Sequence, residues 1–122
     1  MPCLLLVEDE FLVRLVAKEA LEGDGFEVLE AKSASEAIQV LDSQAHIDIV
    51  VTDVRMPGQG DGVDVAVRAR AKFPEIPVIM TSGYAEGVED RLDQLCLIVF
   101  MLGKPYKLDQ LSALAKSLIK RS

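Results

Sequence analysis

The stretch Ile47-Asp48-Ile49-Val50-Val51-Thr52-Asp53 is almost continuously apolar and ends in an acid. Three more apolar runs also end at polar side chains: residues 4–7 before Glu8-Asp9, residues 78–81 before Ser82, and residues 98–103 before Lys104. Such runs are typical of parallel strands that are buried on both faces of a sheet. The carboxyl ends of parallel strands share one edge, so three acids, a hydroxyl and an ammonium are expected to meet in one cleft. A cleft of this chemistry suits a divalent cation and a phosphoryl group.

Helix-like stretches separate these strand-like runs along the chain. Residues 10–22 carry apolar side chains at three- and four-residue intervals and end at Gly23-Asp24-Gly25, which predicts a helix. A second helix begins after Ser33 or Ser35, where Ser33 and Glu36 have capping-box spacing. The remaining predicted helices cover residues 63–73, 85–95 and 108–119, and the predicted strands cover residues 4–7, 26–31, 47–52, 78–82 and 97–102. Five βα units in strict alternation predict an α/β fold, a doubly wound parallel sheet with right-handed crossovers.

Length and charge narrow the possible functions. With 122 residues, half of them apolar, the chain fits one domain over residues 1–122. Its net charge of −7 argues against binding to nucleic acid, which needs a cationic surface. The first apolar run is preceded by no basic segment and is broken by Glu8-Asp9-Glu10, so neither a signal peptide nor a membrane span is expected. A cytoplasmic location follows as the default.

The cysteines and the single histidine offer no metal or redox motif. Cys3 and Cys96 lie far apart and outside any C-x-x-C or Cys/His cluster, so we expect both to be buried free thiols. His46 stands at a helix-to-strand junction and is expected to be a surface loop residue.

Five sequence features, in order and each at a predicted strand end or just after it, resemble one known family. They are Glu8-Asp9, the turn Asp53-Val54-Arg55-Met56-Pro57, Asp61-Gly62, Ser82-Gly83 and Lys104-Pro105-Tyr106. Together they resemble the receiver domain of bacterial response regulators, the CheY-like fold, over essentially the whole chain. The resemblance implies a flavodoxin-like sheet of order 2-1-3-4-5 with five helices.

The resemblance also implies a role for each site residue. Asp53 would be the nucleophile that takes a phosphoryl group from a phosphohistidine. Four groups would hold Mg²⁺: the carboxylates of Glu8, Asp9 and Asp53, and the backbone carbonyl of Arg55. Lys104 would pair with one phosphoryl oxygen and Ser82 would donate to another. The domain would catalyse only its own phosphorylation and dephosphorylation, so it would not be an enzyme acting on another substrate.

Partners follow from the same resemblance. The donor would be a sensor histidine kinase or a phosphotransfer protein, and the output would be contact with a downstream protein. A homodimer through the face of the fourth helix, fifth strand and fifth helix is a further expectation, without nucleic-acid or membrane partners. Because the sequence stops after the fifth predicted helix, both a stand-alone regulator and a receiver of a larger protein stay open.

Other interpretations of the same residues stay open at this point. Glu8-Asp9 is placed to cap the first helix, and Asp53 is placed to form a turn before Pro57. A pseudo-receiver or phosphate sink would act only as an interaction module. A haloacid dehalogenase-type phosphatase needs a second acid two residues after its nucleophile, where this chain has Arg55. A flavodoxin-like FMN carrier needs a phosphate loop rich in Ser, Thr and Gly after the first strand, and acids stand there instead.

The sequence departs from the usual receiver pattern in two places. The loop Pro57-Gly58-Gln59-Gly60 is one residue longer than the common form, and Met101 stands where receivers carry an aromatic or His switch residue. Phe100 is out of register for that role, because adjacent strand residues face opposite sides of a sheet. Arg55 and Tyr84 are large enough to screen an acyl phosphate from water.

Overall fold

The computed structural model describes residues 1–55, 60–83 and 88–119, apart from the side chain of Glu89. Strands and helices alternate along the chain, as the sequence pattern predicts. The strands are β1 (Cys3–Val7), β2 (Glu27–Ala31), β3 (Ile49–Asp53), β4 (Val78–Ser82) and β5 (Phe100–Gly103). The helices are α1 (Phe11–Gly23), α2 (Ala34–Ser43), α3 (Gly62–Lys72), α4 (Val88–Gln94) and α5 (Leu108–Ile119).

The five strands form one parallel sheet in the order β2-β1-β3-β4-β5, which confirms the predicted α/β fold and strand order. The register aligns the carboxyl ends of β1, β3, β4 and β5. Val7 pairs with Thr52, Asp53 pairs with Thr81, and Ser82 pairs with Gly103. The polar residues that end or follow these strands are therefore brought to one edge.

Two apolar layers cover the faces of the sheet. Alternate strand residues contribute to opposite layers, as the period of two requires: Leu5 and Val50 to one, Leu4 and Val51 to the other. Helices α2, α3 and α4 complete the first layer, whereas α1 and α5 complete the second. The central strands are buried on both faces, which explains their continuously apolar sequences.

Side-chain capping identifies where two of the helices begin. Of the two serines that could begin α2, Ser33 is the N-cap, and its hydroxyl accepts the Glu36 N–H at 3.1 Å. At α3, Asp61 accepts from the backbone of Val63 and Asp64, and the Asp64 carboxylate accepts the Asp61 N–H at 2.8 Å. This reciprocal capping box fixes the start of α3 next to the end of β3.

The segment between α4 and β5 differs from the sequence prediction. Strand β5 begins at Phe100 rather than at residue 97, and α4 ends at Gln94. Cys96 has a φ of 55°, a left-handed conformation that ends the helix, and the Leu97 N–H then donates to the Leu92 carbonyl at 2.9 Å. The expectation of a buried thiol is wrong for Cys96, which is exposed, and right for Cys3; both are free. The apolar sequence of residues 95–99 does not reveal this left-handed turn at the end of the helix.

Two further observations concern His46 and the lengths of the helices. His46 is exposed as expected, with its Nε2 2.6 Å from a carboxylate oxygen of Asp48. None of the helices in the described ranges has the length and apolar character needed to cross a membrane.

Candidate functional site

The carboxyl edge of the sheet joins three of the five side chains that the sequence predicts to meet there. The Lys104 ammonium lies 2.8 Å from Oε1 of Glu8 and 2.9 Å from Oδ2 of Asp53. Glu8 follows β1, Asp53 ends β3, and Lys104 follows β5, so residues 96 positions apart in sequence are joined by one hydrogen bond. The shared edge of a parallel sheet produces this meeting.

Both carboxylates of this pairing are buried. Glu8 is 3% exposed and Asp53 is 9% exposed. The second Glu8 oxygen accepts the backbone N–H of Glu10 at 3.1 Å, so each oxygen of this carboxylate has a donor. The N-cap of helix α1 is Glu10, which makes no side-chain capping bond. Glu8 and Asp9 precede that residue, and one carboxylate oxygen of each lies within 4.8 Å of an Asp53 oxygen. Their orientation toward the cleft favours the metal-ligand interpretation over the capping one.

Asp9 completes a cluster of three acids. One carboxylate oxygen each of Glu8, Asp9 and Asp53 lies within 4.8 Å of the others. The three carboxylates and the one ammonium of Lys104 give these four side chains a formal charge of −2. Hard oxygen donors at this spacing are the ligands that Mg²⁺ takes in proteins.

Burial shapes the ionisation of the groups in the cleft. Removal from water raises the pKa of the Glu8 carboxyl, and the hydrogen bond from Lys104 opposes this rise. Burial lowers the pKa of the Lys104 ammonium, but hydrogen bonds to Glu8 and Asp53 outweigh that effect and leave this pKa above its ordinary value. Lys104 is therefore a fixed positive charge in the cleft.

Gly62 packs closely against the backbone of Asp53. A Cβ at this position would lie 2.3 Å from the Asp53 carbonyl oxygen, too close for any other residue without a backbone shift. The Gly62 N–H donates to the Val54 carbonyl at 2.8 Å. The Asp61-Gly62 pair thus combines the helix cap of α3 with close packing against the strand that carries Asp53.

The other predicted site residues flank this centre. Ser82 is buried at the end of β4, and its carbonyl accepts the backbone N–H of Lys104 at 2.9 Å. Arg55 is exposed two residues after β3. The bond between Lys104 and Pro105 is cis. The predictions for residues 56–59 and for Tyr84 lie outside the described residues.

The strand β5 presents Met101 and Phe100 to opposite sides. Phe100 pairs with Ile79 and packs in the layer covered by α1 and α5, which agrees with its predicted register. Met101 pairs with Met80, a residue of the other layer, and is 38% exposed. The residue three positions before Lys104 therefore lies on the α4 side of β5.

Sequence reasoning missed a surface next to the acids. The apolar spacing of α1 suggested a stripe facing the core, yet Phe11, Leu12 and Val16 are 62%, 70% and 47% exposed. Leu12 and Val16 help to line a groove of about 600 Å³ that reaches Lys104 and Tyr106. Periodicity alone could not separate these residues from the core-facing Ala17 and Leu21, because the apolar residues of α1 cover more than one face.

Comparisons with known proteins agree with the fold and identify the family. The family model described as the response regulator receiver domain matches residues 4–116. The sensor kinase CckA of Brucella abortus is 37% identical over 118 residues, which is 96% of this chain and 12% of the kinase. The chain likewise covers less than two thirds of the length of two further curated relatives.

Solved structures share this architecture. A response regulator receiver protein from Sinorhizobium medicae is similar with a TM-score of 0.87 at 32% identity, over 98% of this chain and 94% of that one. The response regulator protein TrrA from Thermotoga maritima, in complex with Mg²⁺-BeF, has a TM-score of 0.81 at 29% identity, over 97% and 99% of the two chains.

Proposed function

Because this chain belongs to the receiver domain family of two-component response regulators, we propose that Asp53 accepts a phosphoryl group from a phosphohistidine, with Mg²⁺ as cofactor. The donor would be a sensor histidine kinase or a phosphotransfer protein. Residues 1–122 would act as one receiver domain in the cytoplasm. One observation carries this proposal, the meeting of three acids and the Lys104 ammonium at the carboxyl edge of the sheet.

The residues of the cleft fit a magnesium ion. Three carboxylates supply hard oxygen donors within 4.8 Å of one another, and the charge left after Lys104 is counted equals that of one divalent cation in magnitude. The ligands would be Glu8, Asp9, Asp53 and the backbone carbonyl of Arg55. When bound, Mg²⁺ would offset the negative charge that gathers as two anions approach each other.

Phosphoryl transfer would proceed by direct displacement. A carboxylate oxygen of Asp53 attacks phosphorus, the bond from phosphorus to the donor imidazole nitrogen breaks with its electron pair leaving on nitrogen, and an acyl phosphate forms. Lys104 would then turn from the carboxylates to a phosphoryl oxygen, and the Ser82 hydroxyl would donate to another. Both side chains lie on strand ends fixed by the sheet, which supports a role in positioning.

The surface beside the cleft supports a protein donor. A phosphohistidine has to come within bonding distance of Asp53, so the protein that carries it must cover the rim of the cleft. The exposed Phe11, Leu12 and Val16 lie on the helix at that rim, next to the groove that reaches Lys104. Leu12→Ala should slow transfer from a phosphorylated histidine kinase and leave labelling by acetyl phosphate unchanged, whereas the exposed Val67→Ala on α3 should affect neither.

Labelling with acetyl phosphate tests the proposed chemistry. With Mg²⁺, intact-protein mass spectrometry should show one added phosphoryl group, and chelation of the metal should abolish it. Asp53→Asn should remove labelling, whereas the exposed Asp93→Asn on α4 should not. Labelling that persists in Asp53→Asn would place the nucleophile elsewhere. If the parent protein is never labelled, the pseudo-receiver alternative replaces the proposal.

The output surface would be the face of α4, β5 and α5. The described part of helix α4 spans seven residues, and apolar side chains are exposed at Met101 of β5 and at Ile98 just before that strand. We expect phosphorylation to change this face, which would then bind a downstream protein or a second copy of the chain. Hydrogen exchange over residues 88–106 should differ between the free protein and its Mg²⁺-BeF complex. Unchanged exchange would mean that the domain is a phosphate sink or signals by another face.

A further inference from the structure

Arg14 joins three elements next to the acid cluster. Its Nη1 donates to the backbone carbonyl of Glu8 at 2.9 Å, and its Nε donates to Oε1 of Glu30 on β2 at 3.1 Å. The guanidinium also lies 5.6 Å from the ring centre of Phe11. Only 14% of the Arg14 side chain is exposed, although it lies on the surface helix α1. A planar fork that binds two acceptors at once holds them at a fixed separation.

This geometry ties both backbone polar groups of Glu8 to β2. The Glu8 N–H donates directly to the Ala31 carbonyl at 3.0 Å. The Glu8 carbonyl accepts a hydrogen bond from Arg14, which also donates to Glu30, the residue before Ala31. With its main chain held at both ends, Glu8 has only its side-chain torsions left to place the carboxylate in the cleft.

We propose that Arg14 is a positioning residue for the magnesium site, acting through Glu8 on the affinity for the metal. The inference rests on the proposed function. Arg14 contacts neither Asp53 nor Lys104 in the described hydrogen bonds, so its effect is on where the Glu8 ligand stands. Groups that orient metal ligands typically change metal affinity by about 10- to 100-fold when they are removed.

Loss of the Arg14 charge and loss of its hydrogen bond to Glu8 predict opposite changes in Mg²⁺ affinity. Because a positive charge near the cleft repels Mg²⁺, loss of this charge alone would strengthen metal binding. Loss of the hydrogen bond to the Glu8 carbonyl would weaken it. Lys18 provides a matched control, since its ammonium pairs with the other oxygen of Glu30 at 3.3 Å and has no bond to Glu8.

Magnesium titrations of purified variants test the inference. Binding is followed by backbone amide shifts in NMR spectra, which also report whether each variant is folded. We expect Arg14→Gln to weaken Mg²⁺ binding about tenfold and Arg14→Lys to have an intermediate effect, because an ammonium cannot bridge both acceptors in the same fork. Lys18→Gln should bind within twofold of the parent or slightly more tightly. Saturating Mg²⁺ should restore acetyl phosphate labelling of Arg14→Gln to within about threefold of the parent.

Each outcome separates this inference from the proposed function. If the parent protein does not bind Mg²⁺, the proposed function itself fails. If the parent binds Mg²⁺ and Arg14→Gln binds it equally or more tightly, only the role of Arg14 is refuted. Should Arg14→Gln fail to fold, the conservative Arg14→Lys decides: about threefold weaker binding supports the role, and unchanged binding overturns it.

Discussion

Removal of one acid from the cleft should stabilise the metal-free protein. Asp9→Asn keeps the shape of the side chain and removes one of three like charges whose oxygens lie within 4.8 Å of one another. At that distance, with an effective dielectric constant of about 20, one like-charged pair costs about 3.5 kcal/mol. Asp9 repels two carboxylates and is attracted by one ammonium; with that ammonium taken at a similar distance, the net penalty is about that of one pair.

Two effects reduce this value. Asp9 is only half-buried, so water screens its charge, and Glu8 remains its neighbour in the unfolded chain, where part of the repulsion persists. We therefore expect Asp9→Asn to raise the free energy of unfolding by about 1 kcal/mol without metal. For 122 residues the entropy of unfolding is about 0.26 kcal/mol/K, which converts this gain to a rise in Tm of about 4 °C.

Magnesium should remove the advantage of the variant. At a metal concentration ten times Kd, binding stabilises the parent by about 1.4 kcal/mol, whereas a variant with tenfold weaker affinity gains about 0.4 kcal/mol. The two proteins should then unfold at nearly the same temperature. Thermal unfolding followed by circular dichroism, first with chelator and then with Mg²⁺, measures both halves of this prediction.

A control variant separates the cleft from net charge. Asp93→Asn removes the same charge from an exposed position on α4 and should change neither Tm nor the response to Mg²⁺ by more than about 1 °C. If the charge of Asp9 served to stabilise the positive end of the α1 dipole, Asp9→Asn would lower Tm without metal. A Tm at or below that of Asp93→Asn in chelator, or a full response to Mg²⁺, would refute the reasoning.

Three further variants test other parts of the cleft. Lys104→Met leaves two buried carboxylates without their cation, so it should lower the free energy of unfolding in chelator by about 2 kcal/mol, measured by urea denaturation, and Mg²⁺ should restore part of the loss. Gly62→Ala sets a methyl group 2.3 Å from the Asp53 carbonyl oxygen and should lower the free energy of unfolding by about 1–3 kcal/mol. Gly23→Ala has open space around the new methyl group and should be neutral or stabilising. Equal Tm values for the two variants would contradict this. Arg55→Ala should speed loss of the phosphoryl group after the donor is removed, followed by mass spectrometry, if this side chain screens the acyl phosphate from water; equal or slower loss would assign the lifetime to other residues.

The order of elements was predictable because each leaves a distinct local pattern. The continuous apolar run of β3 indicates a strand buried on both faces, and its terminal acid marks the edge where a site forms. The order of strands in the sheet is not a local property, and it came only from the resemblance to a family. The structure confirms both the order of elements and the order of strands, and it places Lys104 within hydrogen-bond distance of Glu8 and Asp53.

Some features of the surface could not be predicted from the sequence. Leu12 and Leu21 are both apolar residues of one helix, yet Leu12 is 70% exposed and Leu21 is fully buried. Which face of α1 meets the sheet depends on α5, packed beside it across a long separation in sequence. The prediction that Cys96 is buried was wrong because the sequence does not show its left-handed backbone. The composition of that segment resembles a strand.

The burial of charge identifies this edge of the sheet more sharply than any motif does. Acids are rarely buried unless they are paired, and within the described parts of the chain Glu8 and Asp53 are the charged residues that are buried. One ammonium satisfies both, while Asp9 adds a third charge that no stable core requires. Like charges at one edge of an otherwise apolar sheet lower the stability of the fold. Such departures from the pattern of the core are typical of functional sites. The sign of the Asp9→Asn effect is therefore a direct measure of whether these acids are there for folding or for a ligand.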